Sequence, residues 1–509
     1  MLHVPAREAP VLPSVAPPAP DRICALGFPL VAALFFILST RHGIGILPDS
    51  TRYMGLAARP WDAPLYPALL FGLSATGVDI ARAAWVAGLV LSALNAFLVW
   101  TLLRQAAGRP GPAALGTVLI VIAPQSVALH ALAMSEPLFL TMILATMLAL
   151  LRYVRTDDRR WLLAAGCGVG LASLARFTGP PLGAAIGLFL LIDPRWPMRR
   201  RIGDVLTVAA PSALLFLGWA ALSEWLVGRS TGRPLEWYGN MTAQDWLTSF
   251  NALTAWIAPD NVPFALRSAL FLTALAASVA LWVRHVRAML AESRVDASAL
   301  AVPLGFFFFA YLGFIVLATS IEANLHLNSR YAFPIYCTSI MTMTIVMARR
   351  LPRAGWARIS HAGLTGLALC MMVSHMLRTA ERTRQAWREG VGYASLQWTG
   401  SPTLAAVGAL PQGAILYSNG PDAIGYVLRR PARNIPAPIM LRTGREDPDF
   451  PYAAQLAEAR SALAQGHAYV VFLNRVDWRF YMAGEAELVR RLNLRLVARR
   501  ADGAIYSGS

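Results

Sequence analysis

The chain has 509 residues, 56% of them hydrophobic and only 14% charged, with a mean hydropathy of +0.49, a balance that excludes an ordinary soluble domain. The formal charge of +17 comes entirely from arginine, because the sequence contains no lysine. Schiff-base and amine-nucleophile chemistry is thereby excluded, and the charge reads as membrane topology rather than nucleic-acid binding.

Residues 1–22 are rich in Pro and Ala and lack a basic start leading into an apolar stretch. They read as a disordered cytoplasmic tail, and the first apolar segment, Ile23 to Leu38, as an uncleaved anchor. Apolar runs then recur at lengths suited to a bilayer, about 20 residues each. They predict a polytopic α-helical membrane protein with about eleven spans, near 23–40, 83–103, 112–129, 134–151, 161–176, 180–193, 205–227, 264–284, 299–320, 331–348 and 356–378. Residues 64–74 read as a half-helix dipping into the membrane. The four cysteines, Cys24, Cys167, Cys337 and Cys370, lie in apolar segments with no metal or disulfide spacing, and read as buried inert thiols.

Arginine sets the orientation. With the N-terminus cytoplasmic, the inside loops hold Arg104 and Arg109, Arg152 to Arg160, Arg195 to Arg201, Arg284 to Arg294 and Arg349 to Arg358, whereas Ala123 to Pro137 has none. Asp49, Glu136, Arg176 and the loops 228–262 and 321–330 then share one outer face. The arginine bias points to a GC-rich bacterium, hence to its cytoplasmic membrane.

From Thr379 onward the long apolar runs stop. Strands at 414–417 and 468–473 alternate with helical stretches near 421–429, 451–465 and 484–493, and 494–499 with 503–506 reads as a hairpin. The expectation is a small extracytoplasmic α/β domain over 379–509, after a transmembrane unit over 23–378.

The outer-face polar residues are the candidates for chemistry. Asp49, in Pro48-Asp49-Ser50-Thr51-Arg52-Tyr53, is a general base or metal ligand, or else Asp49 or Ser50 merely caps a short helix. Tyr53 and Ala57 follow it at i+4 spacing on one helical face, and Pro64-Leu65-Tyr66-Pro67 ends that helix. Glu136, in Ser135-Glu136-Pro137, either complements a helix dipole or binds substrate. Arg176 ends a helix on the outer face, where the inside-positive rule disfavours it, and Arg330-Tyr331 opens one on the same face against the helix dipole, so a charge partner is expected. That partner is a lipid phosphate held bidentately, or the carboxylate of Asp49, Glu136 or Glu322, with simple snorkelling as the remaining alternative. His326 and Asn328 are weaker candidates. Trp237, Tyr238, Trp246 and Trp256 read as interfacial anchors, with stacking on a sugar as the sharper alternative. Asp422 reads as a turn or cap residue. No Walker loop, dinucleotide fingerprint or Cys/His metal spacing is found, which disfavours nucleotide-driven chemistry.

Taken in order, Asp49-Ser50-x-x-Tyr53, Pro64-Leu65-Tyr66-Pro67, Ser135-Glu136-Pro137-Leu138, Arg176 and Arg330-Tyr331 resemble the polytopic GT-C glycosyltransferases. That group includes the bacterial aminoarabinose transferase of lipid A and the protein O-mannosyltransferases. The resemblance covers residues 25–378. It implies a GT-C-like membrane fold and transfer of a sugar, with inversion, from a polyprenyl-phosphate donor to a glycan, lipid or protein acceptor on the outer face. It implies Asp49 as base or organiser, Glu136 as a second acid, Arg330 at the donor phosphate, and Tyr53, Tyr66, Arg176, His326 and Tyr331 in substrate binding. A divalent cation on Asp49 is compatible but not demanded, since Ser50 stands where some members carry a second acid. No other cofactor and no nucleic acid are expected. The alternatives are a flippase or transporter of lipid-linked saccharides, which needs repeats or helices broken at the midplane, and an O-antigen ligase or polymerase.

Overall fold

The computed structural model describes residues 19–56, 62–228, 237, 242–321, 325, 327–349 and 355–509. The helical part runs through α1 (Ala19–Ser39), α2 (Pro48–Tyr53), α3 (Leu65–Ser74), α4 (Ile80–Ala107), α5 (Pro110–Val121), α6 (Pro124–His130), α7 (Glu136–Thr156) and α8 (Arg160–Ala175). It continues with α9 (Pro180–Ile192), α10 (Met198–Val227), α11 (Ala243–Thr254), α12 (Phe264–Glu292), α13 (Ala301–Ile321), α14 (Ser329–Met347) and α15 (Trp356–Glu389).

Among the described residues seven helices are long and apolar enough to cross a membrane, namely α1, α4, α7, α10, α12, α13 with the turn before it, and α15. The pair α5–α6 makes an eighth if its halves form one span. The expected eleven are not reached on this measure. α8 and α9 have 16 and 13 residues, about 24 and 20 Å at 1.5 Å per residue against a hydrocarbon core of about 30 Å. α14 carries Arg330, two tyrosines and three threonines, which lowers its apolarity. The single helix expected over 112–129 is two, bent by 56°, because Pro124 cannot donate within a helix and instead starts a new one.

The bundle is buried inward and apolar outward. Phe139, Tyr153, Phe189, Phe307, Tyr311 and Phe333 are fully buried, while Leu26, Leu214, Trp225, Leu272 and Leu377 are exposed on the outer helices. Burial in an all-apolar helix is therefore decided by the face. Reading all four cysteines as buried fails on this point: Cys337 is buried, but Cys24 is intermediate and Cys167 and Cys370 are exposed, all four as free thiols.

α15 runs unbroken past residue 379, where composition placed a domain boundary. The chain then turns through Gly390 to Ser395. Tyr393 N donates to Ile46 O at 2.8 Å, and Gly392, at φ +57°, lies so close that a Cβ there would stand 2.2 Å from Ile46 O. On its other side the segment holding Gly45 and Ile46 bonds to the α6–α7 connection, Gly45 N to Ala131 O and Ala133 N to Gly45 O, both at 2.9 Å. The segment leading into α2 is thus strung between the bundle and the start of the C-terminal part.

That part holds α16 (Leu396–Thr399), α17 (Pro402–Gly408), β1 (Ile415–Ser418), α18 (Pro421–Leu428), β2 (Arg433–Asn434), α19 (Tyr452–Ala464), β3 (Ala468–Leu473), α20 (Glu485–Leu492), β4 (Leu494–Arg500) and β5 (Gly503–Gly508). The sheet order is β2-β1-β3-β5-β4. β1 pairs parallel with both β2 and β3, and the β4–β5 hairpin closes antiparallel on β3. Tyr417, Val470, Phe472 and Leu488 form its own core beneath α19 and α20.

Candidate active site

α2 begins with Pro48 in its first turn, where the missing N–H costs nothing. Ser50, not Asp49, serves the helix start: its Oγ accepts from Leu47 N at 3.0 Å. The carboxylate of Asp49 is left to reach sideways, so its reading as an N-cap fails. The helix stops at Tyr53, and Gly55 turns the chain at φ +68°. Ala57 lies outside the described residues. Pro64-Leu65-Tyr66-Pro67 does not end α2 but opens α3, with Pro64 at the cap position.

Five separate segments contribute to the ion network that contains Asp49. Arg330 Nη1 donates to its Oδ2 at 2.8 Å and Arg52 Nη2 to its Oδ1 at 2.7 Å. Arg52 turns its Nε to Asp62 at 2.7 Å. Arg330 extends the network through Nε to Glu136 Oε1 at 2.7 Å, and Arg176 Nη1 reaches the same oxygen at 2.8 Å. Three carboxylates thus face three guanidinium groups.

Apart from Asp62, each charge sits at or near a helix terminus. Glu136 begins α7, where the dipole favours an anion, and is 1% exposed. Its Oε2 has no hydrogen-bond partner among the described residues. Arg176 caps α8 in extended conformation, with Cζ 5.2 Å from the Tyr331 ring and Nη1 3.2 Å from Ser135 Oγ. Asn328 caps α14, its Oδ1 accepting from Arg330 N and Tyr331 N at 3.0 and 3.2 Å, which offsets the clash between Arg330 and the dipole. Asn328 is thus occupied as a cap. Burial alone would raise the Asp49 carboxyl, but Arg330 and Arg52 outweigh it and hold it well below the usual carboxylate range. Burial, with Asp49 and Asp62 nearby, pushes the Tyr53 hydroxyl well above its ordinary value, so it stays protonated and able to donate.

Of the residues singled out in the sequence, Asp49, Glu136, Arg176 and Arg330 form the network, with Tyr53 and Tyr331 against it. Tyr53 OH lies 3.4 Å from Ser135 Oγ. Tyr66 stands behind Tyr53, ring edge to ring face at 5.4 Å, and is fully buried. His326 and Glu322 lie outside the described residues, as does Tyr238. Trp256 is no surface anchor, since it packs between Phe271 and Tyr336. Trp237 and Trp246 are exposed. Among the described residues no three His, Cys, Asp or Glu side chains converge on one point, and both Asp49 oxygens are engaged by arginine.

Three members escaped sequence reading: Arg52, Asp62 and Asp422. Arg52 follows Asp49 at i+3 and was legible as a partner by helical spacing. Asp422 reads from sequence as a turn or cap residue, but it caps nothing in α18. Instead it ion-pairs with the buried Arg479, and its Oδ1 lies 3.4 Å from Thr51 Oγ1 on α2. The C-terminal part therefore touches the helix that carries Asp49.

This arrangement has known counterparts in fold. The structure is similar to the crystal structure of ArnT from Cupriavidus metallidurans bound to undecaprenyl phosphate, with a TM-score of 0.55 at 13% identity over 96% of this chain and 98% of that one. The chain has the GT-C glycosyltransferase fold. The fold likeness extends to the oligosaccharyltransferase AglB from Archaeoglobus fulgidus, at TM-score 0.51 and 12% identity over 90% of this chain and 70% of that one. It also takes in the arabinofuranosyltransferase AftD from Mycobacteria, at TM-score 0.52 and 15% identity, over 96% of this chain but 40% of that one. Residues 62–221 match the family described as dolichyl-phosphate-mannose-protein mannosyltransferase. No curated protein matches the chain in sequence. Within the GT-C fold, the Glu136 and Arg176 ends of α7 and α8 fall inside that matched stretch, whereas Asp49 and Arg330 flank it.

Proposed function

We propose that this protein transfers a sugar from a polyprenyl-phosphate donor to an acceptor hydroxyl at the outer face of a bacterial cytoplasmic membrane. The N-terminus is then cytoplasmic, and the C-terminal α/β part lies on the side of the cluster. The observation that carries this reading is the single network joining Asp49 to Arg52, Arg176 and Arg330. The acceptor oxygen attacks the anomeric carbon, the bond from that carbon to the phosphate oxygen breaks, and the phosphate leaves with the electron pair. Arg330 and Arg52 neutralise the charge that develops on it. Asp49 takes the acceptor proton, and displacement in one step inverts the anomeric centre. With guanidinium groups at the phosphate, a divalent cation is not required by this scheme. Glu136 acts through the arginines it holds and is a positioning residue.

The test is transfer of radiolabelled sugar from synthetic polyprenyl-phosphate donors to membrane extract. Asp49→Asn at matched expression is expected to lose at least about a hundredfold in rate, the lower range for a missing general base. Transfer that survives the substitution removes Asp49 from the chemistry, and no transfer from any donor defeats the glycosyltransferase reading.

A further inference from the structure

Three buried polar side chains from three helices meet next to the ion cluster: Asn95 of α4, His130 at the end of α6 and Thr141 of α7. Asn95 Nδ2 lies 2.9 Å from Pro137 O and 3.1 Å from His130 Nε2, and Thr141 Oγ1 lies 2.7 Å from Asn95 Oδ1. His130 Nδ1 lies 2.8 Å from Ser126 O. A carbonyl can only accept, so Pro137 O fixes which end of the amide is nitrogen. The second amide hydrogen then points at His130 Nε2, which must accept it. The ring proton is therefore on Nδ1, where it donates to Ser126 O. Both ring nitrogens and both ends of the amide are satisfied. Such groups are costly within a bilayer, and a polar network satisfied throughout specifies one arrangement of the helices that carry it.

Three segments of the ion cluster converge on this pair. Pro137 follows Glu136, so the Asn95 amide holds the backbone one residue from the carboxylate that binds Arg330 and Arg176. The His130 ring stands edge to face on the buried Phe333, with centroids 6.4 Å apart, and Phe333 lies one turn beyond Arg330 in α14. The residue after His130 accepts from Gly45 N at 2.9 Å, in the segment that leads to Asp49. The hydrogen bonds of Asn95 and His130 go to Pro137, Ser126, Thr141 and each other, not to a charged member of the cluster. Their effect on the cluster passes through Pro137 and Phe333.

We propose that Asn95 and His130 are positioning residues for the ion cluster. Asn95 sets the place of Glu136 through Pro137 O, and the His130 ring sets the first turn of α14, and with it Arg330, through Phe333. The placement stands without the glycosyltransferase reading. Its effect on sugar transfer rests on that reading.

The experiment is a pair of double-variant cycles on the full chain in one detergent, read by thermal unfolding and by sugar transfer. Asn95→Leu nearly keeps the side-chain volume and strands Pro137 O, so Tm should fall by roughly 2–6 °C. Combined with Glu136→Gln, it should lower Tm by clearly less than the two separate losses together, because the hold on Pro137 matters most when a carboxylate must meet two guanidinium groups. His130→Ala, which removes the ring beside Phe333, should couple to Arg330→Met in the same way, whereas His130→Phe keeps the ring and should not. Thr146→Val is the control: this buried hydroxyl of α7 bonds back to Met142 O at 2.6 Å, away from the cluster, and its loss should add to that of Glu136→Gln. In sugar transfer, Asn95→Leu should show the same division between kcat and KM as Glu136→Gln, and the double variant should fall no more than about threefold below Glu136→Gln alone, as for residues that act as a unit. Losses that simply add in the Asn95 cycle or in the His130 cycle overturn the proposal, as does wild-type transfer by Asn95→Leu in a preparation where wild type is active. If Asn95→Leu yields no folded protein, the His130 cycle decides. Coupling in both cycles, with no transfer even by wild type, supports the placement and counts against the enzymatic reading alone.

Discussion

Replacing Glu136 by glutamine removes one negative charge at nearly constant shape. Glu136 is 1% exposed, and its Oε1 alone holds Arg330 Nε at 2.7 Å and Arg176 Nη1 at 2.8 Å. Arg330 keeps Asp49 after the change, but Arg176 has no other carboxylate among the described residues. Removing one partner of a buried pair costs about 3–5 kcal/mol. The Arg330 side chain is 26% exposed, which tempers its share through solvent screening, so about 3 kcal/mol is the working figure. In domains of 150–250 residues 1 kcal/mol moves Tm by about 2–4 °C, and by less in a longer chain. The expected fall is then roughly 4–8 °C, measured by tryptophan fluorescence during heating of both proteins in one detergent. Adding Arg176→Met to Glu136→Gln removes the stranded cation and should recover about half of the loss. A fall of less than about 1 °C, or a double variant no better than the single one, refutes the idea that Glu136 exists to neutralise two guanidinium groups.

Four further outcomes are expected. The Asp49 carboxyl has its folded pKa depressed by Arg330 and Arg52. Its contribution to stability is therefore present above the unfolded value of about 3.9 and is lost only as pH falls through the lower folded value; kcat/KM should show no acid limb from Asp49 above about pH 4, and a limb near pH 6 that vanishes in Asp49→Asn would contradict this. Arg52→Gln should raise KM for the donor more than it lowers kcat, because it removes a phosphate contact while leaving the base; an unchanged KM with a large loss of kcat speaks against a role at the donor phosphate. Asp422→Asn strands the buried Arg479 and loosens Thr51, so hydrogen exchange should quicken in 45–56 as well as in 421–428; protection of 45–56 that stays at the wild-type level denies the contact any positioning effect. Gly392→Ala puts a Cβ 2.2 Å from Ile46 O at φ +57°, and should cost on the order of 2 kcal/mol in thermal unfolding, whereas Gly413→Ala meets nothing within 4 Å and should be neutral.

Charges in apolar surroundings were the legible part of the sequence. Asp49, Glu136, Arg176 and Arg330 stand out because a charge near the membrane needs a reason, and Arg330 at a helix start needs an anion. Of its three candidate carboxylates, Asp49 and Glu136 are in contact with it, and Glu322 lies outside the described residues. Faces and distant contacts were less legible. A helix apolar on all sides gives no period to separate core from lipid, which is why Cys167 and Cys370 could not be read as outward-facing. Asp422 lies 371 residues from Thr51, and no local pattern links a turn-like Asn419-Gly420-Pro421-Asp422 to a helix at the other end of the chain. The break at Pro124 carried a signal in the sequence, but a continuous apolar run masked it.

The charge count of the cluster bears on how it could work. Asp49, Asp62 and Glu136 balance Arg52, Arg176 and Arg330, so the network is neutral as it stands. A phosphate can enter only by competing with a carboxylate for guanidinium groups. Glu136 is fully buried and held by two arginines, and Asp62 is nearly buried. Asp49 is the most exposed of the three, at 27% of its side chain, and its partners are the arginines nearest the surface. Asp49 is therefore the anion that a phosphate displaces most cheaply. While both arginines hold it, Asp49 has too little proton affinity to make a good base. When a phosphate draws them away, the forces that depress its pKa weaken while the burial that raises it remains. Donor binding would thus create the base that the acceptor needs, and hydrolysis of the donor before the phosphate is seated would be suppressed by the same contacts.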